Sequence, residues 1–324
     1  MNNNLVGIIC PIFNDWDSFY RLVRDLDLTM AGSGWRLKII GVDDGSYQTP
    51  DPTQWQQGQF SAVEAIQLVH LVTNLGHQRA IAIGLVEASR DPELDVIIVM
   101  DADGEDRPQD IPDLLATHRT APDDIIVVKR GKRSETALFR ISYIFYKLFF
   151  YLMSGRVIDF GNFCLIPRAR LSNIIFKSDV WNHLAASVLR CGVPIRKLVA
   201  KRGQRYCGRS QMNFASLMIL GLSATSVYID LFAARVLALI IVCATGSLLG
   251  LAGIFVIKEF TDLAIPGWAT NVFGFILLIL LQTFTLLVTL TLFVLHSRST
   301  KTHVPAVDAE LYIGRRSMPV CRTL

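Results

Sequence analysis

The sequence contains few charged residues and no paired cysteine motif. Charged side chains make up 19% of its 324 residues, against about 25% in an average soluble domain, and 51% of the residues are hydrophobic. The six cysteines include no C-x-x-C pair, so neither a zinc site nor a disulfide framework is indicated, as expected in a reducing compartment. The apolar excess excludes a disordered chain and argues against a purely soluble enzyme.

Two N-terminal motifs are also absent. The first residues, MNNN, carry no basic side chain and the apolar run at 5–13 is short, so no secretory signal is predicted. That run leads into PIFND at 11–15 and not into G-x-G-x-x-G. This absence argues against a dinucleotide-binding fold.

Charge is missing from two long C-terminal segments, 236–257 and 263–295. A helix rises about 1.5 Å per residue, so the shorter segment spans about 33 Å, enough for a hydrocarbon core of about 30 Å. In the longer segment, PGW at 266–268 is typical of an interfacial entry, which leaves 271–295 as the span. Two membrane helices are predicted in preference to two buried core helices.

The basic residues that flank these segments predict their orientation. The connecting loop carries one lysine, Lys258, while five basic residues follow His296. Because cytoplasmic flanks are enriched in Lys and Arg, both the N-terminal head (residues 1–235) and the C-terminal tail (residues 296–324) are expected in the cytoplasm. The predicted location is the cell inner membrane, as a multi-pass protein.

The net charge of +4 hides a strong polarity. Residues 1–125 hold 8 basic and 20 acidic side chains, and residues 126–235 hold 18 basic and 4 acidic ones. The basic half predicts attraction to anionic lipids, worth about 1 kcal/mol per near-surface Lys or Arg, and also allows an anionic substrate such as a phosphate. No nucleic-acid partner is predicted. The aromatic stretch 139–153 is predicted to be either a core helix or a helix lying on the bilayer.

Short Val- and Ile-rich runs alternate with amphipathic stretches in the first half. The runs predict strands at 5–13, 37–42, 66–72 and 96–100, with helical spacing between them. Strands that alternate with helices predict an α/β fold with a mostly parallel sheet covered on both faces. Ligands of such sheets bind beyond the carboxyl ends of the strands, which locates the candidate site.

Acidic side chains follow the predicted strands at this edge. Asp43 and Asp44 end the second strand, and DADGED occupies 101–106 after the fourth. Carboxylates in a D-x-D turn suit Mg²⁺ or Mn²⁺ bound together with substrate phosphates, and Asp43 or Asp44 could accept hydrogen bonds from a base or ribose. D-x-D alone also occurs in surface turns. Aspartyl-phosphate phosphatases use it too, but Glu105 stands where they have Thr or Val.

An ordered set of motifs is more specific than D-x-D. It comprises PIFND at 11–15, VDDGS at 42–46, NLGHQRAIAIGL at 74–85, DADGEDRP at 101–108, DFGNF at 159–163 and R-x-x-G-x-S at 205–210. Together with the two spans, this set resembles glycosyltransferase family 2, the nucleotide-diphospho-sugar transferases of GT-A fold. Within that family it looks like the polyprenyl-phosphate branch, which includes dolichol-phosphate mannose synthase and the bacterial glucosyl and aminoarabinosyl lipid-carrier enzymes.

The resemblance and the hydropathy pattern imply four parts. They are a cytoplasmic GT-A catalytic domain over 1–212, a juxtamembrane amphipathic helix over 213–235, a two-helix transmembrane hairpin over 236–295 and a cytoplasmic tail over 296–324.

The resemblance also implies roles for residues at matching positions. Asp101 and Asp103 would bind Mg²⁺ or Mn²⁺, with Asp103 the more direct ligand. Arg205 and Ser210 would contact pyrophosphate and lipid phosphate, and Asp159 is a candidate for orienting the acceptor. The residues expected to bind the nucleotide sugar are Pro11, Phe13, Asp15, Asp43, Asp101, Ala102, Asp103, Glu105, Arg130 and Arg133. For the arginines, a plain membrane-surface role is the alternative.

Four positions depart from the family pattern. Asp15 and Glu105 stand where the family often has Glu and Gln. Asn162 replaces a second acidic residue of the branch, and Gln211 stands where Lys is usual. The nucleotide and metal positions are otherwise nearly intact.

We therefore expect an inverting glycosyltransferase that moves a sugar from a UDP- or GDP-sugar to undecaprenyl phosphate by single displacement. A phosphate monoester has a second pKa of about 6, so it is already an anionic nucleophile at pH 7. No dedicated base is required, and for His77 and His183 a role as ordinary hydrogen-bonded side chains is favoured over a role in the reaction. The alternatives are a transferase acting on another glycolipid or glycan acceptor, and an inactive membrane scaffold. The sugar, the base and the oligomeric state are left open, so a homo-oligomer is allowed.

Overall fold

The computed structural model describes residues 4–56, 60–130, 148, 150–152, 154–207, 214–261, 267–299 and 302–321. The chain divides into two compact units. The first comprises Met1–Ile144, Val157–Val227 and His303–Leu324, and the second comprises Phe145–Arg156 and Tyr228–Thr302.

The described residues form strands and helices in the following order along the chain. The strands are β1 (Leu5–Ile12), β2 (Arg36–Asp43), β3 (Val63–Leu71), β4 (Val96–Val99), β5 (Ile125–Arg130), β6 (Cys164–Pro167), β7 (Ile195–Ala200) and β8 (Ile313–Cys321). The α-helices are α1 (Trp16–Met30), α2 (Thr53–Gln56), α3 (His77–Ser89), α4 (Ile111–Thr120), α5 (Ser172–Ile175), α6 (Asp179–Asn182), α7 (Leu184–Arg190), α8 (Phe214–Ser226), α9 (Ile229–Phe260), α10 (Trp268–Ser299) and α11 (Pro305–Asp308). Short 3-10 helices cover Pro108–Asp110, Arg168–Arg170 and Ala309–Tyr312.

The first unit is built on one sheet with the strand order β7-β5-β6-β4-β1-β2-β3-β8. β1 pairs in parallel with β2 and β4, β2 pairs in parallel with β3, and β5 with β7. β6 runs antiparallel to β4 and β5, and β8 runs antiparallel to β3. The predicted α/β fold with a mostly parallel sheet is confirmed.

Helices cover both faces of this sheet. On one face, α1 buries Phe19, Leu22 and Leu26 at helical spacing. On the other face, α3 approaches β1 so closely that a Cβ atom on Gly84 would lie 2.5 Å from Ile9 Cγ2. β1 is buried along its whole length, as expected of a parallel strand between two helical layers.

Four connections meet at the carboxyl edge of the parallel strands. The segments that follow β1, β2 and β4 begin at Phe13, Asp44 and Met100. Because β6 runs antiparallel to β4, the residues that lead into it, 159–163, lie at the same edge. The sheet therefore brings motifs that are distant in sequence to one rim.

The second unit contains the two long apolar helices, α9 and α10. Each has 32 residues, about 48 Å at 1.5 Å per residue, and each is long and apolar enough to cross a membrane. They contain the predicted spans 236–257 and 271–295. They also lie against each other, since a Cβ atom on Gly250 would be 3.2 Å from Ile276 Cδ1. Many of their large apolar side chains are exposed, as lipid-facing side chains would be.

The stretch predicted as one juxtamembrane helix, 213–235, is divided in the structure. α8 ends at Ser226 and α9 begins at Ile229. Most of the aromatic stretch 139–153 lies outside the described residues. Within the second unit, the ring of Phe150 packs edge-on against Tyr228, with the ring centroids 5.8 Å apart.

The tail contains a strand that the sequence pattern does not predict. β8 follows α10 in sequence and pairs with β3 at the edge of the sheet. Just before it, Tyr312 O accepts a hydrogen bond of 3.0 Å from Val72 N–H, and the Tyr312 ring lies 5.4 Å from that of Trp181. The tail therefore belongs to the unit that contains the sheet, although both apolar helices precede it.

Candidate functional site

The D-x-D segment after β4 is held by its own side chains and by one glycine. The buried Asp106 carboxylate accepts a hydrogen bond of 2.9 Å from Asp101 N–H, and Asp103 Oδ1 accepts one of 3.0 Å from Glu105 N–H. Gly104, between them, has a φ of +85°, a left-handed conformation that glycine adopts without strain. Ala102 is buried between the two aspartates.

Two arginines pair with acidic side chains of this turn. Arg205 Nη2 lies 3.2 Å from Asp103 Oδ2, and Arg202 pairs with Glu105. The family resemblance implies that Arg205 contacts phosphates. The structure brings it to the D-x-D turn itself, where its charge stands beside the predicted metal ligand.

The backbone of the arginine segment, residues 202–206, is hydrogen-bonded to the same turn. Gly203 N–H donates to Glu105 O (2.9 Å), and Tyr206 N–H donates to Asp103 O (2.8 Å). A Cβ atom on Gly104 would lie 2.8 Å from the Tyr206 ring, so the fit requires glycine there. The turn and the arginine segment form one packed structure.

Burial raises the pKa of Asp103, and the neighbouring carboxylates of Asp101 and Glu105 raise it further, against the opposing charge of Arg205. An additional cation would favour the ionised form. Among the parts of the chain that the structure describes, no group of three His, Cys, Asp or Glu side chains is placed to hold a metal ion. Two carboxylates fit the way Mg²⁺ is usually bound, through one or two carboxylates plus substrate phosphates and water.

His77 also contacts the D-x-D turn. Its Nε2 lies 3.1 Å from Asp101 Oδ1 and 3.0 Å from Asn162 Nδ2. Asn162 Oδ1 accepts a hydrogen bond of 3.1 Å from Gln78 Nε2. Burial lowers the pKa of His77, but the charge of Asp101 and its hydrogen bond outweigh burial, so the pKa is raised. His77 thus contacts the D-x-D turn, as its position at the start of α3 on the carboxyl edge could have indicated.

His183, the other histidine singled out from the sequence, has a structural contact. Its Nδ1 accepts a hydrogen bond of 3.3 Å from Ala186 N–H at the start of α7. Burial lowers its pKa to about 4. It caps a helix in its neutral form.

Asp43 and Asp44, at the end of β2, make different contacts. Asp44 accepts hydrogen bonds from the N–H groups of Leu75 (2.7 Å) and Gly76 (3.0 Å), so it fixes the loop that leads into α3. Asp43 accepts one from Ser46 N–H (2.9 Å), and its Oδ2 lies 2.9 Å from Nδ1 of His70. Burial raises the pKa of Asp43, but the hydrogen bonds from His70 and Ser46 outweigh burial and lower it. Asp43 is therefore ionised and held in one orientation.

An aromatic pair stands beside these aspartates. The rings of Phe13 and Tyr47 meet edge-on with centroids 6.1 Å apart, and Phe13 is 40% and Tyr47 89% exposed. Asn14, at a φ of +52°, joins the two loops, since its N–H donates to Ser46 Oγ (2.9 Å) and its Oδ1 accepts from Tyr47 N–H (2.8 Å). Exposed aromatic faces can stack against a base. Tyr47 was missed in the sequence analysis.

Six predicted residues remain, and the structure describes the side chains of three of them. Pro11 is buried in β1 opposite Val42, and Asp15 immediately precedes α1. Asp159 accepts hydrogen bonds from Lys129 (2.9 Å) and Lys197 (2.8 Å); burial raises its pKa, but the two lysines outweigh burial and lower it. The side chain of Arg130, together with Arg133 and Ser210, lies outside the described residues.

Comparison with protein families gives one match over this region. Residues 7–175 match the family described as Glycosyl transferase family 2, which is just over half of the chain. The match covers β1 to α5 and includes the segments that form the carboxyl rim.

Curated relatives share part of this region. The undecaprenyl-phosphate 4-deoxy-4-formamido-L-arabinose transferase of Pseudomonas savastanoi pv. phaseolicola is 29% identical over 132 residues, 41% of this chain and 37% of that protein. The protein of the same description from Pseudomonas fluorescens is 31% identical over 136 residues, 42% and 38% of the two chains. The chain thus spans about two fifths of the length of these curated relatives.

Solved structures with a similar arrangement include glucosyl-3-phosphoglycerate synthase from Mycobacterium tuberculosis in complex with Mn²⁺, UDP-glucose and phosphoglyceric acid. It has a TM-score of 0.49 at 12% identity, covering 70% of this chain and 79% of that chain. Another is S. aureus TarS 1-349 in complex with UDP-GlcNAc, with a TM-score of 0.42 at 16% identity, covering 72% and 66%.

Proposed function

The chain belongs to glycosyl transferase family 2, as its motif order indicates, and we propose that it transfers a sugar from a nucleotide diphosphate to a polyprenyl phosphate at a membrane. The observation that carries this proposal is the carboxyl rim of the sheet. There Asp101, Asp103 and Arg205 stand at the end of β4, and Asp43 at the end of β2. The rim offers groups for a base, a ribose and a pyrophosphate in one place.

The nucleoside would bind at the ends of β1 and β2. The exposed rings of Phe13 and Tyr47 provide apolar faces for a base, and the ionised Asp43 provides an acceptor for N–H or hydroxyl groups of the base or ribose. Pro11 and Asp15 flank this position at the end of β1 and the start of α1. UDP- and GDP-sugars are the proposed donors.

The pyrophosphate would lie at the D-x-D turn. Asp101 and Asp103 would hold Mg²⁺ or Mn²⁺ there, and such an ion supplies charge stabilisation to a departing nucleoside diphosphate. Arg205, already paired with Asp103, would present its guanidinium to the oxygens of this diphosphate. Planar guanidinium donors match phosphate oxygens, so Arg205 would orient the leaving group. Arg202 pairs with Glu105 on the same turn.

The acceptor would be a phosphate monoester that attacks the anomeric carbon directly, with inversion. Because such a phosphate is already anionic at pH 7, the protein has to position it more than deprotonate it. Asp159, with Lys129 and Lys197 around it, is proposed to orient this phosphate. The relatives are named for undecaprenyl phosphate, which supports the same acceptor here.

The membrane anchor would bring the head to such a lipid. α9 and α10 are long and apolar enough to span, and because β8 returns to β3, head and tail must lie on the same side of any membrane that both helices cross. The basic residues around the helices favour the cytoplasmic side. We propose an inner-membrane protein whose basic half is attracted to anionic lipids.

Transfer of radiolabelled sugar tests the proposal. The purified chain in detergent is given a panel of UDP- and GDP-sugars with undecaprenyl phosphate, with Mn²⁺, with Mg²⁺ or with EDTA. Label in the lipid phase that requires a divalent cation is expected, and Asp103→Ala should abolish it. Asp123→Ala is the matched control, because this exposed aspartate pairs with Arg170 and should retain transfer.

Two other outcomes would contradict the proposal. Cation-dependent nucleotide binding without transfer would mean that the acceptor is another glycolipid or glycan. The absence of both transfer and nucleotide binding would mean that the chain is a scaffold with this fold.

A further inference from the structure

The side chains of β8 point alternately to the two faces of the sheet. Leu68 is opposite Ser317, Val69 opposite Arg316 and His70 opposite Arg315. Successive side chains of a strand point to opposite faces of the sheet. Arg316 therefore lies on the face covered by α3, and Ser317 lies on the other face, diagonally across from His70.

On the α3 face, Arg316 binds β8 to α3. Its Nε lies 2.8 Å and its Nη2 3.0 Å from the two carboxylate oxygens of Glu87, whose side chain is 2% exposed. Arg316 also pairs with Glu310 at 2.7 Å, and Arg90 pairs with both glutamates. A two-pronged contact with a buried carboxylate fixes the position of β8 along β3 as well as holding it in place.

On the other face, a chain of hydrogen bonds leads from β8 to the end of β2. Ser317 Oγ lies 3.2 Å from His70 Nε2, and His70 Nδ1 lies 2.9 Å from Asp43 Oδ2. The side chains of His70 and Asp43 are 12% and 9% exposed, so few waters can replace either contact. With a proton on Nδ1, His70 donates to the Asp43 carboxylate, and the Ser317 hydroxyl can donate to or accept from Nε2.

From this geometry we propose that His70 and Ser317 are positioning residues of the nucleotide site, so that a strand placed after both apolar helices in sequence helps to hold the donor. The inference rests on the proposed function, in which Asp43 binds the nucleoside. His70 orients the Asp43 carboxylate, and Ser317 orients the ring of His70. Neither residue has to contact the nucleotide. Loss of either side chain would weaken nucleoside binding because Asp43 is then less well oriented.

The pyrophosphate end of the site offers an internal reference. Asp101 and Asp103 lie on the segment after β4, and β1, β2 and β3 separate β4 from β8 in the sheet. If Ser317 acts through Asp43, its loss should weaken binding of a nucleoside diphosphate but leave the binding of Mn²⁺-pyrophosphate unchanged. A general disturbance of the head would weaken both.

Calorimetric titration of the full chain in detergent, with Mn²⁺ and with UDP, GDP or inorganic pyrophosphate, makes this comparison. Ser317→Ala is expected to weaken binding of the preferred nucleoside diphosphate about three- to tenfold, the size of one lost hydrogen bond, with pyrophosphate affinity unchanged. Met318→Ala is the matched control, since this neighbouring side chain on β8 is exposed, and it should bind like the wild type.

Three further variants test the order of the contacts from Ser317 through His70 to Asp43. His70→Ala should lose more affinity than Ser317→Ala. His70→Asn should recover part of that loss, because an asparagine amide can donate to Asp43 from near the Nδ1 position. Adding Ser317→Ala to His70→Asn should cost nothing further, since the shorter side chain does not reach Ser317.

The outcomes separate the inference from the function on which it rests. A wild-type chain that binds neither UDP nor GDP overturns the proposed function and this inference with it. A wild-type chain that binds one of them, with Ser317→Ala and His70→Ala binding equally well, overturns the inference alone. Parallel losses of nucleotide and pyrophosphate affinity in Ser317→Ala also overturn it.

Discussion

Arg205 and Asp103 form an ion pair across the D-x-D turn, with Arg205 Nη2 3.2 Å from Asp103 Oδ2. The guanidinium thus contacts one oxygen of a carboxylate that is proposed to hold a metal ion. If an ion binds there, the guanidinium and the ion would compete for one carboxylate, and both would attract phosphates.

Removal of Arg205 should therefore have opposite effects on metal binding and on transfer. Arg205→Ala is expected to bind Mn²⁺ a few-fold more tightly without nucleotide, because the competing charge is gone. Its sugar transfer should fall at least tenfold, a loss of about 1.4 kcal/mol or more, because the departing diphosphate loses a donor. Electron paramagnetic resonance of Mn²⁺ and the transfer assay measure the two effects.

Arg170→Ala serves as the control for this prediction, because Arg170 pairs with the exposed Asp123. It should change neither quantity. Weaker Mn²⁺ binding in Arg205→Ala would show that the arginine supports the metal ligand and does not compete with the ion.

The carboxylate of Asp27 should contribute strongly to the stability of the head. It accepts hydrogen bonds from the N–H groups of Ser61 (2.9 Å), Ala62 (2.7 Å) and Val63 (2.9 Å). Asp27→Ala would leave buried donors without an acceptor, which costs about 1–3 kcal/mol for each such group. Thermal unfolding followed by circular dichroism should show a lowered Tm, with Asp27→Asn intermediate.

This contribution should also depend on pH. Burial raises the pKa of Asp27, but the hydrogen bonds from residues 61–63 outweigh burial and lower it. A carboxyl whose pKa is lower in the folded state stabilises the fold fully above its ordinary pKa of about 3.9, and less as pH falls through the folded value. The difference in Tm between wild type and Asp27→Ala should therefore shrink as pH falls below about 4; a constant difference would contradict this account.

The approach of α3 to β1 should make Gly84 intolerant of any side chain. Its Cβ atom would lie 2.5 Å from Ile9 Cγ2 and 3.1 Å from Val42 Cγ2, so Gly84→Ala forces a shift in the core. We expect a loss of about 1–3 kcal/mol in the free energy of unfolding, measured by thermal or denaturant unfolding. Gly246→Ala is the control, since its Cβ atom meets nothing within 4 Å and it should unfold like the wild type.

The contact of Arg316 with Glu87 should determine whether β8 stays paired. Arg316→Gln leaves the buried Glu87 carboxylate with Arg90 and Gln67 as its remaining partners, and loss of the charged hydrogen bonds from Arg316 costs about 1.5–3 kcal/mol. Hydrogen exchange of the amides of β8 and β3 should rise sharply. Arg315→Gln, on the neighbouring exposed residue, should leave exchange unchanged, and equal exchange in both variants would contradict an anchoring role for Arg316.

Much of the fold follows from local patterns. The alternation of strands and helices, the two long uncharged segments and the gathering of Asp43, Asp101 and Asp103 at one edge all depend on short stretches of sequence and on the rule that parallel strands share a carboxyl edge. These features could therefore be predicted. The roles given to the individual site residues stay predictions.

Other features depend on partners that are far apart in sequence. β8 contains two arginines and a proline, a composition typical of a basic tail, and only pairing with β3 makes it a strand. His77 resembles any polar residue at a helix start until Asp101 is placed beside it. The contact of Ser317 with His70 joins residues 247 positions apart, which no local pattern encodes.

The place of β8 in the sheet has a consequence for biosynthesis. During translation β3 is completed early, but its outer partner is made only after both apolar helices have been synthesised. Until then β3 presents an open edge, which is a site for unwanted pairing with another chain. Closure of the sheet therefore waits until both helices have been made, and a chain that stalls before β8 would keep an unfinished head, exposed to chaperones and proteases.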